Sequence, residues 1–260
     1  MGWNQPGLAP AAFRAAEPGQ SAKRRLFERG ELEQTVAAAG EPYRTLFTLA
    51  ALTGARVSEL LGLSWANVRI SDLEDAEVEF ASLVDRHGNV QPTKTDGSVR
   101  TVPIPHELAA ILSRHKERSR FTGSQDFVFS TCTGRPLGQR NVARALRQAQ
   151  QNAVDPDGRP TFPILHQRTQ IGEPVSLPHG ALPSMHSFRH TVASRALLAG
   201  ESIDEVAFLL RHRDANVTRA VYVRELSDAR RRTMRRSRMI AEYSDLLGSP
   251  DPEDGRPDPE

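Results

Sequence analysis

Apolar positions recur at helical spacing over most of this 260-residue chain, and switch to strand-like content in one middle section. The first helix is expected over Glu31 to Ala39. A stronger one follows from Glu41, where Tyr43, Leu46, Phe47, Leu49 and Ala50 share a face, and Gly54 should end it. Another begins near Arg56, with Arg56 in its first turn, and runs through Leu60 and Leu61 toward Trp65. Glu77 to Val84 and Val99 to Ile104 carry strand-forming residues, with turn signals at His87-Gly88-Asn89 and Thr95-Asp96-Gly97-Ser98. Pro92 demotes the strand between those turns to an edge, so a sheet of about three antiparallel strands is expected, with Lys94 beside a hairpin tip.

Helices resume at Glu107 to Arg118 and at Gln139 to Gln151. An irregular stretch spans Asn152 to Pro183, and a further helix runs from Met185 to Gly200. Ser202-Ile-Asp-Glu205 forms a capping box for the next helix. A helix containing Tyr222 and a basic helix to about Leu247 complete the pattern. No internal repeat is visible. The fold class is α+β, mainly helical with a small three-stranded antiparallel sheet. Three parts are expected: a linker-like N-terminus at 1–26, a globular domain at 27–247 and an acidic Pro-rich tail at 248–260.

Composition excludes several classes. No apolar run approaches the ~20 residues that span a bilayer, and Met1 to Gln20 lacks the apolar core of a secretory signal, so a cytoplasmic protein without a membrane partner is expected. The single cysteine, Cys132, excludes an internal disulfide framework. Charge is uneven. The net charge of +2 includes a segment, Ser249 to Glu260, with five acidic residues and one arginine, which leaves +6 for the rest. Seven arginines fall between Arg224 and Arg238, a pattern that fits either a solvated helix face or contact with backbone phosphates.

Chemistry concentrates in three stretches. Arg56 follows a helix-breaking glycine at the start of a helix, where an anion is favoured and a guanidinium can grip two phosphate oxygens; a surface arginine paired with Glu59 fits as well. His186 and Arg189 share a helix face, although His186 also suits a boundary histidine. Tyr222 lies ten residues after His212. It suits a core tyrosine, or a nucleophile if a base and charge stabilisation compensate for a free pKa near ~10. Lys94 is one of three lysines and sits where a hairpin tip would carry a proton donor or an ordinary exposed lysine. His166 and His179 lie in the irregular stretch without a second metal-ligand pattern.

LTGARVSELLGLSW, TKTDGSVRTVPIP, HSFRHTVASRALLAG and the segment from His212 to Tyr222 occur in this order and resemble the catalytic domain of the tyrosine recombinase (phage integrase) family. The resemblance covers roughly Phe27 to Tyr243. It implies a site-specific DNA recombinase that cleaves and rejoins strands through a 3′-phosphotyrosine, without metal or other cofactor. Arg56 and Arg189 match the paired arginines on the scissile phosphate, and Lys94 the general acid on the 5′ oxygen. His186 matches the position that assists proton transfer, His212 the last phosphate hydrogen bond, and Tyr222 the nucleophile. Glu59 matches a supporting acidic position, and Arg100, Arg211 and Arg224 are expected DNA contacts. The implied partner is double-stranded DNA, bound as a homo-oligomer. Arg211 stands where glycine is usual, Asn152 to Pro183 is longer than typical, and about 25 residues stand in place of a core-binding domain. Alternatives are a DNA-binding remnant or regulator, and relaxation of supercoils in the manner of a type IB topoisomerase.

Overall fold

Glycine and proline punctuation sets the helical frame. The computed structural model describes residues 25–28, 30–72, 75–92, 99–169, 172–178 and 180–210. Helix α1 (Glu31–Ala38) leads into α2 (Tyr43–Thr53), which stops at Gly54 in the left-handed conformation, φ 62°. Short α3 (Val57–Leu61) follows, with Arg56 as its N-cap rather than in its first turn, because the Arg56 backbone is extended. Helices α4 (His106–Arg118), α5 (Gln139–Asn152) and α6 (Met185–Ala199) sit where the apolar spacing puts them, and α6 ends at Gly200. The capping box before α7 (Ile203–Leu210) is formed: the Glu205 carboxylate accepts the Ser202 N–H at 2.6 Å, and Ser202 Oγ accepts the Glu205 N–H at 3.1 Å.

The strands depart from expectation in their pairing. Glu77 to Val84 is two strands, β2 (Glu77–Phe80) and β3 (Ser82–Val84), broken at Ala81 and sent to different ladders. A three-stranded antiparallel sheet forms in the order β1 (Val68–Arg69), β2, β5 (Arg100–Pro103), with Val78 opposite Val102. β3 pairs with the exposed strand β4 (Val90–Pro92) in a separate hairpin. The edge position of Pro92 is therefore as expected, while the third strand of the sheet is the two-residue β1.

Helix α2 runs through the middle of the main core, with Leu46, Phe47, Leu49 and Ala50 fully buried. Phe188 of α6 packs between Phe27 at 4.8 Å and Phe47 at 5.6 Å between ring centres. Aromatic contacts of this kind fix ring orientation as well as burying area, so they set the rotation of α6 about its axis. A second, smaller cluster of Ala193, Leu197, Val206 and Leu210 joins α6 to α7. The end of α3 lies against β3 so closely that a Cβ at Gly62 would stand 2.6 Å from the Ser82 carbonyl oxygen.

Between these elements one seven-residue turn recurs at 84–90, 130–136 and 154–160, and the same bridge and hydrogen bonds join Arg168 and Thr169 to Gly172, Glu173 and Pro174. In each, an Asp or Thr at the second position both donates and accepts backbone hydrogen bonds: Asp85 with Asn89 and Gly88, Thr131 with Arg135 and Gly134, Asp155 with Arg159 and Gly158, Thr169 with Glu173 and Gly172. The side-chain oxygen of that residue also accepts a backbone N–H inside the turn. The glycine takes positive φ, a conformation that costs other residues about 1 kcal/mol or more. The irregular stretch from Asn152 to Pro183 contains the turn at 154–160, the Arg168–Pro174 bridge and one short 3₁₀ segment at Pro163–His166.

Candidate active site

The α2–α3 junction is where chain-distant residues meet. Arg56 leaves the Gly54 turn in an extended conformation and caps α3 with its backbone. Glu59, buried at 6% exposure, holds it twice. One carboxylate oxygen accepts the Arg56 backbone N–H at 2.8 Å, and the other accepts Arg56 Nη1 at 2.8 Å. The ion pair anticipated between Arg56 and Glu59 is thus present, and it leaves the Arg56 side chain 38% exposed. An arginine held from its backbone and its guanidinium loses little further freedom when an anion arrives. Because α3 has only five residues, the positive field here comes chiefly from the guanidinium rather than from a helix dipole.

Arg189 reaches the same junction from α6. It is 4% exposed; Nη1 donates to the Gly54 carbonyl at 2.9 Å, across 135 residues of sequence, and Nη2 donates to the carbonyl of Leu210. Burying a cation is costly unless its donors are satisfied. Two main-chain carbonyls do this without neutralising the charge, so the guanidinium stays cationic and fixed. Gly54 makes the meeting possible: a Cβ there would stand 3.1 Å from Leu210 Cδ2 and 3.5 Å from Val192 Cγ1.

His186, one helical turn before Arg189, is exposed, with its ring 6.2 Å from that of His190. It lines an open cleft of about 510 Å³ together with Val57, the residue after Arg56, and with Arg147 and Gln150 of α5. Gln150 is buried and donates to the Pro183 carbonyl at 2.8 Å, tying α5 to the segment that enters α6. The structure therefore gathers Arg56, Glu59 and Arg189 around the Gly54 turn, with His186 one turn before Arg189 on α6 and lining the cleft that Val57 also lines. Lys94, His212, Tyr222, Arg211 and Arg224 lie outside the described residues, as does the side chain of Arg100, whose backbone pairs with Phe80 in β5. His166 hydrogen-bonds the Gln151 carbonyl, and His179 is outside the described residues. Among the described residues no group of three or more His, Cys, Asp or Glu side chains is placed to hold a metal ion.

A cationic stripe on α5, not singled out from the sequence, reaches the cleft at Arg147. Arg140, Arg144 and Arg147 are spaced four and three apart on exposed turns of α5, a helix without a single acidic residue. None of them pairs with a described carboxylate. The signal was available: a cationic stripe at helical spacing, opposite a buried face of Val142, Leu146 and Ala149.

The described residues thus form a mainly helical domain with a small antiparallel sheet, in which two arginines are fixed at one helix junction. The sequence matches the Phage integrase family over residues 26–228, and the chain belongs to that family. It is 28% identical over 206 residues to a tyrosine recombinase XerC-like protein of Caldanaerobacter subterraneus subsp. tengcongensis, covering 70% of this chain and 46% of that protein. An integrase of Streptomyces ambofaciens is 27% identical over 224 residues, covering 81% and 51%. This chain thus spans about half the length of these relatives. Among solved structures, the Tn1549 transposon integrase in complex with transposon right end DNA superposes with a TM-score of 0.59 at 18% identity, covering 84% of this chain and 67% of that one. The XerA recombinase gives 0.51 at 17%, covering 87% and 67%. These likenesses establish the α+β fold. Among the described residues no helix is long and apolar enough to cross a membrane.

Proposed function

We propose that this chain carries the catalytic part of a site-specific DNA recombinase or integrase, a metal-independent strand transferase acting on double-stranded DNA. The observation that carries the reading is the meeting of Arg56 and Arg189 at the Gly54 turn, each held by other groups of the protein, beside an exposed His186. Two fixed cations suit the two nonbridging oxygens of a scissile phosphate, whose charge grows as a fifth oxygen approaches phosphorus.

The proposed roles follow the family. The Tyr222 hydroxyl attacks phosphorus, passing its proton to His186. The bond to the 5′ oxygen breaks as Lys94 protonates it, leaving a 3′-phosphotyrosine and a free 5′ hydroxyl. His212 hydrogen-bonds the phosphate, and Glu59 positions Arg56. Attack by another 5′ hydroxyl reverses the step on a new strand, and the covalent bond conserves the phosphodiester energy, so neither metal nor nucleotide is consumed. Arg100, Arg211 and Arg224, with the α5 stripe, are the proposed backbone contacts. The acting form is a homo-oligomer on DNA, and the site of action is the cytoplasm.

Covalent trapping tests the reading. Incubation with nicked duplexes bearing candidate sites from the DNA flanking the gene should give an SDS-resistant adduct that Tyr222→Phe abolishes while binding persists. An adduct that survives in Tyr222→Phe removes the nucleophile assignment. Binding without any adduct favours a DNA-binding remnant or regulator, and relaxation of supercoils without paired sites favours topoisomerase-like action.

A further inference from the structure

A cavity of about 420 Å³ opens at the end of α2 remote from Gly54. Its α2 lining comes from the first two turns and ends at Thr48, which at helical rise leaves about 9 Å of helix axis between it and Gly54. The other wall is the C-terminal end of α4, so the cavity is separate from the cleft that holds His186. Arg44, Arg114, Arg118 and Arg120 line it, with Glu41 as the one acidic residue.

These four arginines are not equivalent. Arg44 is fixed, with Nε donating to the Ala39 carbonyl at 2.9 Å and Nη2 to that of Ala37 at 3.0 Å. The Glu41 carboxylate is turned to α2, where it accepts the Thr45 N–H and hydroxyl. Arg114, Arg118 and Arg120 pair with no described carboxylate and are exposed. Arg114 and Arg118 stand one turn apart on α4, so their like charges repel and favour an anionic occupant. The hydroxyls of Thr48, Ser119 and Ser130 add hydrogen-bonding groups around them.

The sequence supplies an occupant of matching chemistry. Ser249 to Glu260, SPDPEDGRPDPE, has five acidic residues against one arginine, and four prolines alternate with the acidic positions. Proline restricts φ and favours an extended, left-handed helical chain, so less entropy is lost when such a segment is held. Arginine clusters read acidic segments of this kind through charge-assisted, frequently bidentate hydrogen bonds. Reach is no obstacle. The 38 residues between Leu210 and Ser249 can span up to ~125 Å when extended, well beyond twice the ~18 Å radius of gyration expected of a chain this size. We infer that the arginine cavity between α2 and α4 receives the acidic, proline-interrupted segment Ser249–Glu260 of the same chain. This inference stands apart from the reading of the cleft, and would hold for a chain that cleaves no DNA.

The single cysteine offers a direct test. Cys132 is exposed and lies two residues after Ser130 of the cavity wall. A nitroxide on Cys132 of the full isotopically labelled chain should remove most of the amide signal intensity of Asp251, Glu253 and Asp254 at low ionic strength. The signals should return in Arg114→Glu/Arg118→Glu, and in part at high salt. Both substitutions fall on exposed positions, so the fold should survive them. Undiminished tail signals in the parent chain would overturn the inference. So would loss of signal seen only between a nitroxide-bearing chain and a separately labelled one, which would assign the cavity to the tail of a second copy. A double variant that leaves the tail signals diminished but weakens binding of a short duplex would assign it to DNA, and would equally overturn it.

Discussion

The two ends of helix α2 each gather arginines, and they treat them in opposite ways. At the Gly54 end both described guanidinium groups are tethered: that of Arg189 by two main-chain carbonyls, that of Arg56 by one oxygen of buried Glu59, whose other oxygen holds the Arg56 backbone N–H. At the other end Arg44 is tied to two main-chain carbonyls and Arg120 lies over the Phe121 ring, while Arg114, Arg118 and Arg120 meet no described carboxylate. The first arrangement spends buried hydrogen bonds on direction, and suits an anion whose geometry must be controlled to a fraction of an ångström. The second leaves side-chain freedom in place and suits a ligand that needs only opposite charge. Cation number alone would not have separated them.

The largest effect that would sharpen this contrast is expected at Arg189. Arg189→Ala should lower the rate of adduct formation by about 10²–10³-fold, the loss seen when one preorganised donor to a transition-state oxyanion is removed. Arg114→Ala should leave that rate within twofold. Equal losses at the two ends in a single-turnover cleavage assay would erase the distinction. Next comes Glu59→Ala, which strips Arg56 of both tethers and leaves its N–H without an acceptor, costing about 2 kcal/mol in urea unfolding. An unchanged midpoint would mean that Arg56 is held by something else.

Gly54→Ala should cost about 1–2 kcal/mol from the left-handed backbone, with more from the 3.1 Å contact with Leu210. Pairing it with Leu210→Ala should recover part of the lost adduct rate, which a general loss of stability would not do. The smallest effect is at α7. The Glu205 carboxyl is held below the usual glutamate range, first by the Ser202 backbone N–H and then by the Ser202 side chain. A depressed carboxyl stabilises above its unfolded pKa, and the contribution is lost as pH falls through the lower folded value. Amide exchange in α7 should therefore rise, relative to the intrinsic rate, on acidification below the ordinary glutamate range. Glu205→Gln should remove that dependence.

Much of the helical frame was legible because it is marked locally. Gly54, Gly200 and the Ser202–Glu205 box announce helix ends through backbone geometry and capping that adjacent residues determine. Strand pairing was not legible in the same way. Glu77 to Val84 reads as one run because strand-forming content says nothing about partners, and the break at Ala81 reflects the close approach of β3 to Gly62. Two-residue β1 is too short to carry a period. In the site, the Arg56–Glu59 pair could be read from its i,i+3 spacing. The ties of Arg189 could not, since a carbonyl acceptor leaves no trace in side-chain identity. Lys94, His212 and Tyr222 remain assignments by resemblance.

The recurrent seven-residue turn carries a consequence for the history of such a chain. Each copy brings the backbone back to a bridge with the residue from which it departed, so the flanking elements are left where they were. A unit that closes on itself can be gained, lost or exchanged without moving the core it projects from. Such bridges occur in the stretch between α5 and α6, whose far end lines the cleft at Leu177 and Pro178. That stretch is where lineages of this architecture would diversify in length at least cost, while the arginine junction stays fixed.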